Sequence, residues 1–282
     1  MPQHEGCEMN SSKTEEVDLP AEFLRDRKHR LQAQASDVEL RALSAQWFEA
    51  SCRHGYSYQF DWLGRPIIQY PQDIVAMQEV IWRVQPDLII ECGVAHGGSL
   101  VLYASILALI DYCNVPPAEF DKAGFLDSDS MVVGIDIEIK PHNRKAILAH
   151  PLSNKITLIE GSSTDVEVVE QVRRYAQRAK KVMVCLDSNH SHQHVLAELD
   201  AYAPMVSENS YCVVFDTVIE DLQSEYENDR PWNPGDSPKT AVEEYLREDT
   251  EFVVDREIDS RLLVGVAPGG YLRKIGSNQF AS

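Results

Sequence analysis

The densest chemistry in this sequence lies in CLDSNHSHQHV, where Asp187 is followed three residues later by His190 and then by His192 and His194. A carboxylate and an imidazole so spaced at the end of an apolar run place an oxygen ligand beside a proton acceptor. Neutral imidazole accepts a hydroxyl proton near neutral pH, which makes His190 the candidate general base and Asp187 its catalytic neighbour. His192 and His194 are read as residues that cap and solvate the helix beginning there. A second apolar run, YCVVFD, ends at Asp216 and Thr217. Two carboxylates facing one cleft from adjacent strand ends suit a hard divalent cation such as Mg²⁺, so Asp187 and Asp216 are the candidate metal ligands. A cation there lowers the pKa of a substrate hydroxyl and orients its oxygen.

Upstream, DLIIECGVAHGGS runs from a β-branched segment into Glu91, Gly93, Gly97, Gly98 and Ser99. Glycines at a strand-to-helix turn admit a ligand close to the backbone, and the helix N-terminus offers free N–H groups. The spacing E-x-G-x-x-x-G-G differs from the dinucleotide pattern G-x-G-x-x-G. It is the form in which class I methyltransferases hold S-adenosylmethionine. The next run, MVVGIDIE, ends at Asp136 with Glu138 two residues on, and a carboxylate there can accept both ribose hydroxyls. ITLIEGSS ends at Gly161, Ser162 and Ser163, whose small side chains could meet an adenine edge. Glu91, Gly93, Gly97, Ser99, Asp136, Ser163 and Asp187 are therefore the predicted cofactor-binding set.

To bring these strand ends together the chain needs a parallel sheet. DLIIECG, MVVGIDI, ITLIEG, KVMVCLD and YCVVFD are continuous apolar runs of strand length, as expected of strands buried on both faces. Helical patterns at about 98–110, 142–149, 164–178 and 192–203 separate them. Such alternation predicts a doubly wound, mostly parallel α/β sheet of seven strands, Rossmann-like, with ligands at the carboxyl ends of its strands. EFVVDREI and RLLVGVAPGGYL read as an antiparallel pair closing that sheet. Residues 1–20 read as a mobile acidic tail and 21–70 as a helical extension, with the aromatic stretch 56–73 a loop feeding a helix at Asp73–Val84. Residues 71–282 read as the S-adenosylmethionine-binding methyltransferase domain. The extension is expected to pack on the core or on a second subunit, as in a homo-oligomer.

Composition narrows the partners. The 282 residues carry 26 basic and 45 acidic side chains, a net charge of −19. So acidic a surface repels nucleic acid and anionic lipid. Apolar runs are too short for a membrane span, and the N-terminus lacks a secretory pattern, which points to the cytoplasm. The cysteines form no C-x-x-C pair, and Cys92, Cys185 and Cys212 sit in apolar runs where a thiol packs as a small hydrophobe.

The stretch from ECGVAHGGS through GIDIEIKPHNR, LDSNHSHQHVLAELDAYAPMV, FDTVIED and RPWNPGDSPKTAVEEYL to VAPGGYLRK resembles the cephalosporin hydroxylase family, over roughly residues 65–275. That family contains S-adenosylmethionine-dependent O-methyltransferases of the sugar and natural-product type. The resemblance implies a small-molecule hydroxylated acceptor, with Glu91, Gly93 and Asp136 on the cofactor, Asp187 and Asp216 on a metal, and His190 where more distant relatives carry a catalytic lysine. One position departs: the family usually has a carboxylate before the aspartate of the fifth strand, and this chain has Phe215. Phenylalanine cannot ligate a cation, which leaves open replacement by Asn189 or His190, or metal-free transfer with His190 as base. Trp232 and Arg230, with Tyr56, Tyr58 and Trp62, are candidates to enclose the acceptor. Two rival readings stand beside this one, a non-catalytic assembly subunit and a nicotinamide-dependent oxidoreductase.

Overall fold

The computed structural model describes residues 19–115, 129–222 and 231–276. Most of the acidic tail, Cys7 and Arg230 lie outside these residues. Seven strands form one sheet in the order β5-β4-β3-β6-β7-β9-β8. The five apolar runs supply β3 (Leu88–Cys92), β4 (Met131–Asp136), β5 (Ile156–Glu160), β6 (Val182–Leu186) and β7 (Tyr211–Val214), all parallel. Strands β8 (Phe252–Val254) and β9 (Tyr271–Lys274) are antiparallel, β9 lying between β7 and β8.

Alternation along the strands divides the core. Ile89, Val132, Met183 and Val213 pack with α3 (Pro71–Val84) and α4 (Gly98–Asn114) on one face. Leu88, Ile90, Val133, Val184 and Cys212 pack on the other with α6 (Val166–Ala176), α7 (His192–Tyr202) and α8 (Pro238–Glu248). With both faces covered, central strands need no polar side, which is why they read as unbroken apolar runs. Cys92, Cys185 and Cys212 are free thiols buried in this core, as expected.

The chain winds outward from β3 to β5 and then returns to place β6 beside β3. The order reverses there, and a crevice opens at the carboxyl ends of β3 and β6. Glycine turn and Asp187 therefore share one rim.

One expectation is corrected, and one is borne out with an addition. The aromatic stretch contains a hairpin, β1 (Phe60–Trp62) paired antiparallel with β2 (Arg65–Ile67). Leu63 and Gly64, at φ 45° and 84°, form its two-residue turn, a backbone twist that suits a tight hairpin. The C-terminal pair is antiparallel as predicted, but α9 (Arg256–Leu262) stands between its strands. Asp255 starts that helix by accepting from the N–H groups of Glu257 and Ile258.

The N-terminal extension forms α1 (Ala21–Ser36) and α2 (Val38–Cys52). Phe48 of α2 is buried against Tyr70, their ring centroids 4.8 Å apart, whereas α1 buries none of its residues. No helix of the described residues is long and apolar enough to cross a membrane.

Candidate active site

Residues after β3 turn sharply. Gly93 and Gly97 have φ of 100° and 80°, and Ala95 also adopts positive φ. A Cβ on Gly93 would lie 2.0 Å from the carbonyl oxygen of Asp187, so only glycine lets the two strand ends meet. Asp136 braces this turn: one carboxylate oxygen accepts from the N–H groups of Val94 at 2.9 Å and Ala95 at 3.2 Å. Its other oxygen accepts from the N–H of Glu138. The predicted ribose acid is thus seated against the turn it serves.

Glu91 points to the α4 side, where it accepts from the Ser99 hydroxyl at 2.8 Å, and its second oxygen, Oε1, is buried without a partner. Burial raises its pKa to about 8, against the hydrogen bonds from Ser99 and Tyr103. Gly93, Val94, Ala95, His96, Gly98, Ser99 and Asp187 line a narrow cleft whose opposite wall is Pro66–Gln69 from the hairpin side.

Three of the predicted polar groups converge at the far end of the rim. Single ligand atoms of Asp187, His190 and Asp216 all lie within 4.8 Å of one another. His190 Nε2 is 3.3 Å from Asp216 Oδ2, and its ring meets Trp232 edge-on at 4.8 Å. Trp232 thus stands beside His190. Asp187 has its pKa raised well above the usual carboxylate range by burial and then by the charges of Asp216 and Glu91. Gln69 lowers it again through a 3.1 Å hydrogen bond from Nε2 to Asp187 Oδ2.

Other residues fall elsewhere. Phe215 is buried in the core on the α3–α4 face, which explains how a phenylalanine is accommodated beside Asp216. Asn189 accepts from the N–H and hydroxyl of Ser191 and so turns into the start of α7. His192 contacts Thr240 and Glu244, the role of a helix-end residue. His194 and Ser163 join a buried network in which the hydroxyls of Ser163 and Ser188 both donate to Glu198. Trp62 donates to the Ser105 hydroxyl, away from Trp232's corner.

Sequence reasoning missed Gln69, Glu198 and Asp73. Gln69 sits in an apolar-looking IIQY segment, and Glu198 and Asp73 lie inside helices, where a carboxylate ordinarily faces water. The available signal for the latter two was position: both fall where the helical repeat turns inward.

A doubly wound seven-stranded sheet with antiparallel β9 inserted between β7 and β8, and a glycine turn and acidic second-strand end at its switch point, is the architecture of class I methyltransferases. Residues 54–275 match the profile "Rhamnosyl O-methyltransferase/CmcI", and the chain belongs to that family of O-methyltransferases. The rhamnosyl O-methyltransferase of Mycobacterium tuberculosis (strain ATCC 25618 / H37Rv) is 30% identical over 204 residues, covering 71% of this chain and 72% of the relative. That of Mycobacterium leprae (strain TN) is 29% identical over 202 residues, covering 70% and 76%. Among solved structures, a CmcI variant with SAH superposes with a TM-score of 0.51 at 18% identity, covering 77% of this chain and 83% of the other.

Proposed function

We propose that the protein transfers a methyl group from S-adenosylmethionine to a hydroxyl of a saccharide or glycosylated natural product. The observation that carries this reading is the shared rim: the glycine turn after β3 and the Asp187–His190–Asp216 corner open on one end of the sheet. The names of the curated relatives support the saccharide.

In this reading Glu91, Gly93, Gly97, Ser99, Asp136 and Asp187 hold the nucleoside, while Ser163, predicted to join them, is engaged with Glu198 instead. The turn supplies N–H groups and close approach, and Asp136 keeps that turn in shape while facing the ribose. An unpaired buried oxygen on Glu91 awaits a donor from the ligand, as a buried acceptor without one is costly. The acceptor hydroxyl is presented at the corner beside Trp232. Its oxygen attacks the methyl carbon in line with the sulfur; the new O–C bond forms as S–C breaks, and the sulfonium leaves as a neutral thioether. The hydroxyl proton passes to His190 Nε2, with Asp216 at 3.3 Å orienting the ring and stabilising the imidazolium. Asp187 and Asp216 also suit a divalent cation, which when bound would lower the pKa of the hydroxyl in His190's stead.

The test is calorimetric titration with S-adenosylmethionine followed by a mass-shift assay of labelled methyl transfer to a panel of rhamnosides and other glycosides. Binding and a methyl shift on a glycoside are expected. Failure to bind the sulfonium overturns the reading, and binding without transfer to any hydroxylated acceptor favours the assembly-subunit alternative, which Phe215 keeps open.

A further inference from the structure

One stripe of α7 carries polar groups that the methyl transfer itself does not use. His194, Glu198 and Tyr202 stand at i, i+4 and i+8, so all three project from the same helix face. That face meets the loops that follow β5 and β6. We infer that Glu198 is a positioning residue, a bracket that holds the loop on the cofactor side and the loop bearing Asp187 and His190 in one fixed relation. Its kinetic consequences rest on the O-methyltransferase reading; its structural consequence does not.

The bracket is built on one atom. Glu198 Oε1 accepts from the hydroxyls of Ser163 and Ser188 at 2.5 Å each. Both hydroxyl hydrogens are thereby taken. The His194 Nε2 beside them, 3.2 Å from Ser163 Oγ and 3.3 Å from Ser188 Oγ and Glu198 Oε1, is therefore the donor of the group. Tyr202 adds a second tie to the first loop, its hydroxyl donating to the Ser163 carbonyl at 2.7 Å. The two loops leave strands that are not neighbours, since β4 and β3 lie between β5 and β6. No strand ladder sets one loop directly against the other, and α7 does.

What each loop carries gives the bracket its function. Gly161 donates its N–H to the Asp136 carbonyl at 2.9 Å, so the first loop abuts the acid placed on the ribose. Ser188 follows Asp187 directly, and His190 is two residues on. A contact on Ser188 thus fixes the peptide from which both corner groups spring. In-line transfer needs the methyl carbon and the acceptor oxygen held in a near-attack geometry, where a misplacement of about 1 Å costs on the order of 10²-fold.

Energetics argue that Glu198 serves position rather than stability. Its side chain is 0% exposed, no Lys or Arg among the described residues pairs with it, and Oε2 is buried without a partner. A carboxylate buried in this way costs free energy that an apolar side chain of similar volume would not. Its contribution is acceptance without donation, which draws two hydroxyls onto one point.

The test is made on the full chain. Ser163→Ala cuts the arm to the cofactor-side loop and should raise the calorimetric Kd for S-adenosylmethionine about tenfold, with a smaller loss in kcat. Ser188→Ala cuts the other arm and should lower kcat about tenfold or more, with a smaller change in Kd. Glu198→Ala should do both, and Glu198→Gln, which keeps an acceptor oxygen in place, should recover most of each. Hydrogen exchange in the unliganded protein should quicken in residues 161–165 for Ser163→Ala, in 187–191 for Ser188→Ala and in both for Glu198→Ala. Equal losses of affinity and turnover in the two serine variants, exchange that rises evenly through α7 and the sheet, or a Glu198→Gln as impaired as Glu198→Ala would each overturn the inference. Circular dichroism checks folding, and if Glu198→Ala does not fold, the serine variants decide. An unmodified chain that binds no sulfonium would sink the O-methyltransferase reading, while the exchange pattern would still decide for or against the bracket.

Discussion

His190 is the residue on which the chemistry turns, since its Nε2 is the atom that accepts the hydroxyl proton. Truncation to alanine removes that atom and the edge contact with Trp232, and His190→Ala should lower turnover on the order of 10²-fold in a steady-state methyl-transfer assay. A variant of normal rate removes His190 from the mechanism. Asp136 acts one step earlier. Its oxygens take three backbone N–H groups, from Val94, Ala95 and Glu138, so Asp136→Ala frees the turn as well as the ribose position. Calorimetry should show S-adenosylmethionine binding weakened by about 1–3 kcal/mol, and unchanged affinity would take Asp136 out of the site. At this scale the strand-end residues were readable from sequence because each follows an apolar run directly. Gln69 was not, because its relation to Asp187 spans 118 positions and depends on the hairpin that brings residues 65–69 over the turn.

That hairpin belongs to the scale of elements. It packs on the start of α4 so closely that a Cβ on Gly98 would lie 2.2 Å from the Pro66 carbonyl oxygen and 2.7 Å from Ile67 Cα. Both are backbone atoms, so relief requires the hairpin itself to move. Gly98→Ala should therefore destabilise the fold by about 1–3 kcal/mol in denaturant unfolding. It should also open the wall of the cleft, seen as faster hydrogen exchange in residues 60–69; unchanged stability and exchange would mean that the hairpin adjusts freely. The parallel strands and their helices were legible because burial on both faces writes itself as apolar runs of the right length. The hairpin and α9 were not, because three-residue strands carry too little alternation to register. Asp255, which starts α9, reads equally well as the end of a strand.

Across the whole molecule, Asp73 ties the first turn of α3 to the segment that closes the sheet. Its carboxylate accepts from the Val266 N–H at 2.9 Å and from the Tyr271 hydroxyl at 3.3 Å, residues near the far end of the chain. Gly265 passes so close that a Cβ there would sit 2.8 Å from Asp73 Oδ1. Complete burial lifts the pKa from the ordinary 3.8 to about 7, with the charge of Asp216 adding to the rise and the two hydrogen bonds opposing it. The folded chain thus holds this proton more tightly than the unfolded one. The stability it contributes is whole below pH 3.8 and is lost as pH climbs toward about 7, above which both states are ionised. Asparagine fits the same place, its oxygen accepting from Val266 and its amide donating to the Tyr271 oxygen, but it does not titrate. Urea unfolding at steps between pH 4.5 and 7.5, values chosen to lie roughly across that window, should give a wild-type stability that falls relative to Asp73→Asn as pH rises. Glu91, raised in the same direction, titrates in both proteins and cancels in the difference. A difference independent of pH would mean that Asp73 is ionised throughout, and the link between α3 and the closing strand would then be a charged one.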